Sequence, residues 1–372
     1  MQTVRHPLLG QSLGTARELV SLHYGTTGRG PKVTIQASLH ADELPGMLVA
    51  HHLRRRLDVL EAEGKVLGEI VLVPLANPIG LSQWVLREPL GRFDLASGEN
   101  FNRHYPELLE TVWWQVESLL GADASHNVAI VRAALRGAIG ALPVRTELES
   151  LRRTLLLLAA DADIVLDLHC DCEAVMHLYT GTALWPDVEP LARLLGAEAS
   201  LLAEESGDRP FDEACSQLWW QLAQRAGTRR PVPPACAAVT VELRGLVDID
   251  HALAAGDAQA LLDYLAMRGV LDLPTAPLPA LRQPATPLAG SIPVETPASG
   301  VIVWLRAPGD IVQRDDPVAE IVDPLTDTVT VLGSPATGLL YARELRRFAT
   351  AGMRLAKVAG TEALRSGKLL SA

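Results

Sequence analysis

Basic residues are scarce in this chain relative to acidic ones. Lysine and arginine together number 33, against 44 aspartates and glutamates, and the formal net charge is −11 at pH 7. The densest basic stretch is a run of three arginines at residues 54–56. Proteins that bind nucleic acids or anionic membranes usually carry a basic patch. We therefore expect neither nucleic acid nor membrane among the partners.

Long apolar runs are also missing. The longest, residues 155–160, is closed by Asp161 and Asp163, whereas a membrane helix needs roughly 20 apolar residues. The first residues lack the apolar core of a secretory signal. These absences predict a cytoplasmic protein that does not span a membrane.

Cysteine is too rare to build a disulfide framework. The chain has four in 372 residues: Cys170, Cys172, Cys215 and Cys236. Cys170 and Cys172 are separated by a single residue, which is not the two-residue spacing of a zinc knuckle or a redox pair. We expect four free thiols, with Cys170 and Cys172 lining a site.

What the chain does contain is an alternation of strand-like and helix-like segments. Short β-prone runs occur at residues 33–39, 70–75, 164–168 and 238–241. Apolar residues at helical spacing follow at 44–60 and recur near 107–120, 147–160, 187–196, 212–226 and 248–267. This pattern predicts an α/β fold with a mixed, mostly parallel sheet covered by helices on both faces. The insert at residues 104–166 is helical by pattern, and its role as a lid, a dimer contact or plain packing stays open.

The composition of the sequence changes near residue 272. Seven prolines fall between residues 274 and 297, a density that no helix tolerates. Short β-prone runs separated by turns then continue to about residue 360. We predict a catalytic domain at residues 1–275, a proline-rich linker at 276–287, a small all-β sandwich domain at 288–360 and a loose tail at 361–372.

Four polar residues stand at or just beyond the ends of these apolar runs. They are His40, Glu43, His169 and Glu242. An open α/β sheet presents its chemistry at the carboxyl ends of its strands. Two imidazoles and one carboxylate can hold a catalytic zinc ion while leaving a position for water, and a further glutamate can act as general base. The set therefore suggests a zinc-dependent hydrolase.

Each member of the set has a plainer explanation when it is considered alone. A histidine three residues before a glutamate recurs at His104 and Glu107, where an intervening proline favours ordinary surface polarity. His169 can be read as a core histidine, although Asp167 two residues earlier is placed to orient its ring. Glu242 can be read as a surface strand end. A decision between these readings needs more than one residue.

Four motifs in a fixed order decide between these explanations. They are His40-Ala-Asp-Glu43-Leu-Pro-Gly46, Asn100-Phe-Asn102-Arg103, Asp167-Leu-His169 and Thr240-Val-Glu242-Leu-Arg-Gly245. Together they resemble the succinylglutamate desuccinylase/aspartoacylase family, relatives of the zinc carboxypeptidases. The resemblance covers about residues 30–345, because the segment around Gly300 and the β module that follows are similar to the C-terminal β domain of that family.

The resemblance implies a role for several residues. His40, Glu43 and His169 correspond to ligands of one zinc ion, and Glu242 to the general base. Asn102 and Arg103 correspond to the pair that binds the substrate carboxylate.

The resemblance suggests two further roles, each with an alternative. Arg92 corresponds to the arginine that polarises the scissile carbonyl, with Arg87 as the alternative. Tyr179 is the candidate for a tyrosine donor that occurs in the wider superfamily, and a core tyrosine is its alternative reading. The chain departs from the family pattern at Ala41, where most relatives have glycine, and at Asn100-Phe101, where they have Asp-Leu.

These roles predict an enzyme that hydrolyses the linear amide of a small N-acyl amino acid. Its acyl group and amino acid stay open. The alternatives are a carboxypeptidase acting on short peptides and a zinc-binding protein without activity. A carrier function is disfavoured, because the biotinyl-like β module has no lysine between Ser291 and Lys357. A homodimer is expected only from the frequency of symmetric dimers among soluble enzymes.

Overall fold

A computed structural model of the protein describes residues 1–10 and 12–370. Ser371 and Ala372, the last two residues of the predicted tail, lie outside the described residues. Among the residues described, no helix combines the length and apolar character that crossing a membrane requires.

The larger part of the chain alternates strands and helices. Its strands are β1 Gln2–Pro7, β2 Glu18–Gly25, β3 Lys32–Ala37, β4 Glu69–Val73, β5 Trp84–Val85, β6 Glu88–Pro89, β7 Ile164–Asp171, β8 Glu173–Ala174, β9 His177–Gly181, β10 Ala199–Ala203, β11 Ala237–Gly245 and β12 Thr286–Pro287. Its helices are α1 Pro45–Ala62, α2 Pro78–Leu81, α3 Leu109–Val116, α4 Ala124–Gly140, α5 Glu147–Ala159, α6 Trp185–Leu195, α7 Phe211–Ala226 and α8 His251–Met267.

Nine of these strands form one sheet in the order β1-β2-β4-β3-β7-β11-β9-β10-β12. The centre is parallel, since β3 pairs in parallel with β4 and β7, and β7 pairs in parallel with β11. Antiparallel pairs occur where β2 joins β4 and where β9 joins β11. The predicted mixed, mostly parallel sheet is confirmed. Strands β1 and β2 were not predicted, because their exposed and buried residues alternate without a long apolar run.

Helices cover both faces of this sheet, as predicted. On one face α1, α6 and α8 bury their apolar sides against the strands, and on the other face α3, α4, α5 and α7 do the same. The second group includes the insert at residues 104–166. The insert therefore packs against the sheet, which is one of the three roles left open for it.

The smaller part of the chain is a sandwich of antiparallel strands. These are β13 Ser291–Glu295, β14 Gly300–Trp304, β15 Ile311–Val312, β16 Pro317–Asp323, β17 Thr328–Gly333, β18 Gly338–Arg343, β19 Phe348–Ala349 and β20 Arg354–Ala359. One sheet has the order β13-β20-β18-β15 and the other β17-β16-β14-β19. Their inner faces enclose a separate apolar core. The predicted C-terminal β sandwich is confirmed.

The two parts are joined by strand pairing. Strand β8 of the larger part pairs antiparallel with β18 of the sandwich. The segment predicted as proline-rich linker ends in β12, which adds to the edge of the large sheet beside β10. The segment predicted as a loose tail instead follows the junction, where the backbone of Leu369 donates to Ser206 O at 2.8 Å. The sandwich is thereby fixed over the carboxyl edge of the large sheet.

Helix α1 gives a direct test of the packing. Leu53 is fully buried against the sheet, whereas Val59 on the same helix is 54% exposed. We expect Leu53→Ala to lower the free energy of unfolding by about 2–5 kcal/mol, because it leaves a cavity in a closely packed core. Val59→Ala is the matched control and should change this free energy far less. Urea denaturation followed by circular dichroism measures both, and equal effects would contradict the packing described.

Candidate metal centre and active site

The candidate site lies where three neighbouring strands of the large sheet end. Strands β3, β7 and β11 are adjacent and parallel, so their carboxyl ends meet at one edge. His40 follows β3, His169 lies near the end of β7 and Glu242 lies on β11 directly opposite His169 in the strand register. Residues that are far apart in sequence are therefore brought together by sheet topology alone.

A tight turn between β3 and α1 places Glu43 beside His40. Ser38 adopts a positive φ of 59°, and its hydroxyl donates to Glu43 O at 2.9 Å. The turn is crowded: a Cβ added to Gly91 would lie 2.2 Å from the backbone nitrogen of Asp42. Glycine is therefore required at residue 91 for the neighbouring loop to pack against this turn.

Both imidazoles direct the same ring atom at the Glu43 carboxylate. His40 Nδ1 is 2.9 Å from Glu43 Oε1, and His169 Nδ1 is 2.7 Å from Glu43 Oε2. All three side chains are buried, and one donor atom from each lies within 4.8 Å of the others. This His40–Glu43–His169 cluster is the set of residues that the sequence predicted as metal ligands.

The far nitrogen of each ring is engaged by an oxygen. His40 Nε2 lies 2.8 Å from Asn100 Oδ1, and His169 Nε2 lies 3.0 Å from Asp167 Oδ2. When the Nε2 proton of a metal-binding histidine is held by an oxygen, its Nδ1 is free to bind the metal. Two Nδ1 atoms and a carboxylate that converge on one point supply three donor atoms for a cation. The donor set therefore fits a zinc ion, which favours imidazole nitrogen and carboxylate oxygen.

The three ionisable groups of the cluster shift one another's pKa. Burial, together with the nearby charge of Arg92, lowers the pKa of His40 to about 4. Burial would also lower the pKa of His169, but the carboxylates of Asp167 and Glu43 hold it well above its ordinary value. Burial opposes ionisation of Glu43 as well, yet the two imidazoles hold its pKa well below the usual range. The carboxylate is therefore ionised and ready to bind a cation.

Glu242 lines the same cavity as the cluster. Its Oε2 is buried and accepts no hydrogen bond from the residues described. Burial, followed by repulsion from Glu43, raises the pKa of Glu242 to about 8. A carboxyl with this pKa is mostly protonated at neutral pH. A cation held at the cluster would lower the pKa again, and the ionised carboxylate would then be suited to accept a proton from water.

Asn102 and Arg103 form a second buried group in the cavity wall. Asn102 Oδ1 accepts a hydrogen bond from Phe211 N at 2.8 Å, which ties this loop to the first residue of α7. Arg103 is 6% exposed, and its Nη1 donates to Asn102 O at 2.7 Å. A guanidinium held by the backbone carbonyl of the preceding residue is pre-oriented for a bidentate contact with a carboxylate.

The two candidate arginines for the carbonyl lie in different places. Arg92 lines the cavity, and its Nη1 is 3.3 Å from Glu43 Oε1. Arg87 is exposed at the turn between β5 and β6 and does not line the cavity. The structure therefore brings Arg92, and not Arg87, to the metal cluster.

The β sandwich supplies part of the cavity wall, through individual residues that the sequence did not single out. Tyr179, on β9, lines the cavity and is hydrogen-bonded to Tyr341 of β18, which in turn contacts Ser291 Oγ at 2.7 Å. Lys357 of β20 forms an ion pair with Asp171 at the end of β7. No local pattern marks Tyr341 or Lys357, because their place depends on how the sandwich docks.

The cysteine prediction is confirmed. All four thiols are free, and Cys170 and Cys172 line the cavity. Burial raises the pKa of Cys172 to about 11 and that of Cys170 further. Both thiols are therefore protonated at neutral pH and unsuited to nucleophilic attack.

Comparison with known proteins agrees with the motifs. The family model for the succinylglutamate desuccinylase/aspartoacylase catalytic domain matches residues 29–128. A crystal structure of a family protein from Shewanella amazonensis SB2B is 30% identical, with a TM-score of 0.86, and the match covers 96% of this chain and 98% of that one. The chain belongs to the succinylglutamate desuccinylase/aspartoacylase family. The recognition made from the four motifs is confirmed.

Two other structures extend the comparison. A protein of Shewanella frigidimarina NCIMB 400 with the same family description is 26% identical over 96% of this chain and 97% of its own, with a TM-score of 0.84. The ectoine utilization protein EutE (DoeB) of Ruegeria pomeroyi is 18% identical over 96% and 94%, with a TM-score of 0.67, and shares the fold. A comparison with curated proteins finds no significant match.

Proposed function

We propose that this family member is a zinc-dependent hydrolase that cleaves the amide bond of a small N-acyl amino acid. Desuccinylases and aspartoacylases are, as their names state, enzymes that remove acyl groups. The observation that carries the proposal is the cluster of His40, Glu43 and His169, in which Nδ1 of both rings lies within 2.9 Å of one carboxylate. Glu242 beside it supplies a carboxylate oxygen without a partner.

His40, Glu43 and His169 would hold the zinc ion. When bound, zinc supplies Lewis-acid activation of the attacking water and of the scissile carbonyl. Asn100 Oδ1 and Asp167 Oδ2 lie 2.8 and 3.0 Å from the Nε2 atoms of the two rings, where they would hold the Nε2 proton and favour the tautomer that such binding needs. Asn100 preserves the oxygen acceptor at a position where most relatives have aspartate.

Glu242 moves the proton in the reaction. Its free Oε2 accepts a proton from water as the water attacks the amide carbon, and the same carboxyl then gives that proton to the departing amine. Lys357 and Asp171 border this residue on the side of the sandwich. They surround Glu242 with fixed charges that need little rearrangement during the step.

Arg92, Asn102 and Arg103 position the substrate. Asn102 and Arg103 would bind the carboxylate of the amino acid, and Arg92 would donate to the oxygen on which negative charge develops. Arg92 Nη1 already lies 3.3 Å from Glu43 Oε1, so its guanidinium borders the metal cluster. Tyr179 faces the cavity from β9 and would offer a hydroxyl to the acyl group or the leaving amine.

The shape of the cavity favours a small substrate over a peptide. Its volume is about 590 Å³, and residues of β18 and β20 form part of its wall. A longer peptide would have to pass the sandwich that is fixed over the sheet edge. The carboxypeptidase alternative requires space for such a chain.

A substrate panel tests the proposal. We expect the purified zinc-loaded protein to hydrolyse at least one N-acetyl or N-succinyl amino acid, and to lose this activity on chelation and regain it with zinc. Short peptides with free termini should be poor substrates. Preferred cleavage of peptides would establish the carboxypeptidase alternative, and zinc binding without hydrolysis of any compound would leave a silent zinc-binding protein.

The two arginines provide a matched pair of variants. We expect Arg92→Ala to lower kcat by about 10²-fold, because one donor to the developing oxyanion is lost. Arg87→Ala should leave kcat unchanged, since Arg87 does not reach the cavity. Zinc content is measured alongside, to separate loss of catalysis from loss of metal. If Arg87→Ala lowered kcat and Arg92→Ala did not, Arg87 would be the arginine that polarises the carbonyl.

A further inference from the structure

One end of the cavity carries negative charge that the proposed mechanism does not use. Asp212 and Glu213 are the second and third residues of α7, and both line the cavity. Asp212 is 6% exposed; Thr240 donates to its carboxylate, and its Oδ1 is buried without a partner. Glu213 accepts from Ser206 N through Oε1 at 2.7 Å, and its Oε2 is likewise buried without a partner.

A third polar group at this end is equally unsatisfied. Ser206 is 3% exposed and lines the cavity, and its hydroxyl has no hydrogen-bond partner among the described residues. Unpaired buried polar atoms are rare in folded proteins, because each one costs free energy. Two carboxylate oxygens and a hydroxyl that border one cavity suggest a ligand that carries hydrogen-bond donors.

The local charges specify the sign of that ligand. Arg103 is the buried cation next to Asp212 and Glu213, while nearby Asp208 is matched by Lys368 at 2.7 Å. One guanidinium faces two carboxylates. A substrate with only a carboxylate would bring a third negative charge to this group when it binds Arg103. A substrate that also carries a cation would bring none.

Several of the basic residues that line the cavity are already paired with acids of their own. Arg343 is paired with Glu173, Arg354 with Glu295 and Lys357 with Asp171. For Asp212 Oδ1 and Glu213 Oε2, by contrast, the described residues supply no hydrogen-bond partner. Burial, and then repulsion from Asp212, raises the pKa of Glu213 to about 7, while burial and then Asp167 raise the pKa of Asp212 to about 6. Burial and neighbouring carboxyl groups therefore both disfavour the charged forms, and a cationic ligand would favour them.

We infer that Asp212, Glu213 and Ser206 form a specificity site for a cationic group, so that the preferred substrate is an N-acyl amino acid with a basic side chain. This inference rests on the proposed deacylase function and names its substrate class. Asn102 ties the start of α7 to the loop that would bind the substrate carboxylate. The cationic group would therefore be bound next to the carboxylate of the same amino acid. Charge-assisted hydrogen bonds to two carboxylates would supply the selectivity.

Matched substrates test the inference. The zinc-loaded protein is assayed with Nα-acetyllysine and Nα-acetylornithine, with acetylnorleucine and acetylnorvaline as their respective uncharged isosteres, and with acetylglutamate. We expect kcat/KM for the best cationic compound to exceed that of its uncharged isostere by about 10- to 100-fold, the usual range for one charge-assisted contact. A preference for acetylglutamate or acetylnorleucine would overturn the inference.

Two conservative variants locate the effect. Glu213→Gln and Asp212→Asn should each reduce the ratio of kcat/KM between the cationic compound and its isostere by about 10-fold or more. Glu204→Gln, an exposed acid just before Ser206 that does not line the cavity, is the control and should keep the wild-type ratio. An unchanged ratio in both α7 variants would contradict the assignment.

Failure of the proposed function can be told apart from failure of this inference. If none of the compounds is hydrolysed, the deacylase proposal fails. Calorimetric titration of the zinc-loaded protein with lysine and with norleucine then tests the cation site without any turnover. Tighter binding of lysine that is lost in Glu213→Gln supports the site, and equal binding of the two amino acids refutes it.

Discussion

Replacement of Glu242 by glutamine is expected to leave zinc bound and to lower kcat by about 10²- to 10⁴-fold, the range for loss of a general acid–base group. Glutamine has nearly the same size and keeps one oxygen, so β11 should pack as before. Its amide cannot accept a proton from water at neutral pH. Glu242 lines the cavity, and the basicity of its carboxylate, whose Oε2 has no partner among the described residues, is what the variant removes. Steady-state kinetics together with zinc content per chain measure the two effects.

Glu320→Gln is a suitable control for this variant. Glu320 lies on β16 of the sandwich and does not line the cavity. Its variant makes the same chemical change, from glutamate to glutamine. Its kcat should be close to that of wild type. If Glu242→Gln retained a comparable rate, Glu242 would not be the base, and another carboxylate of the cavity would have to take that role.

The residues around the metal cluster were predictable because their positions follow from local sequence. Each of the runs that became β3, β7 and β11 is apolar and short and ends in a polar residue. Parallel strands covered by helices must present those ends at one edge. The pattern therefore made His40, Glu43, His169 and Glu242 candidates, and the four motifs decided for them against their plainer explanations. The four motifs added Asn102 and Arg103, which no periodicity could have selected.

Other parts of the site depend on contacts between distant segments. Lys357 reaches Asp171 only because β8 pairs with β18 and fixes the sandwich over the sheet edge. Asp212 and Glu213 lie in the first turn of a helix, where acids commonly stabilise the N-terminus, so nothing in the sequence marks them as site residues. Their burial in the cavity wall depends on where α7 packs, and α7 is tied to Asn102 more than a hundred residues earlier. Sequence patterns record neighbours along the chain, not this kind of convergence.

Loss of one ligand should have the largest effect of any substitution. We expect His169→Ala to bind far less than one zinc per chain after dialysis and to have no activity above background. His169 is 2% exposed, and its Nδ1 lies 2.7 Å from Glu43 Oε2, so no described side chain can replace the missing nitrogen without rearrangement. Catalytic zinc sites use three protein ligands, and two would leave the ion weakly held. Metal analysis and an assay with added zinc measure both losses.

The variant Asp167→Asn distinguishes loss of a metal ligand from loss of a residue that orients a ligand. Asp167 Oδ2 lies 3.0 Å from His169 Nε2, and its Oδ1 accepts from Gln36 Nε2 at 2.9 Å, so the carboxylate orients the ring without reaching the metal position. Substitution of such a partner costs about 10- to 100-fold in metal affinity. Excess zinc should therefore restore much of the activity of Asp167→Asn and none of the activity of His169→Ala. If His169→Ala kept stoichiometric zinc after dialysis, the ion would be held elsewhere, and the cluster of His40, Glu43 and His169 would not be the catalytic centre.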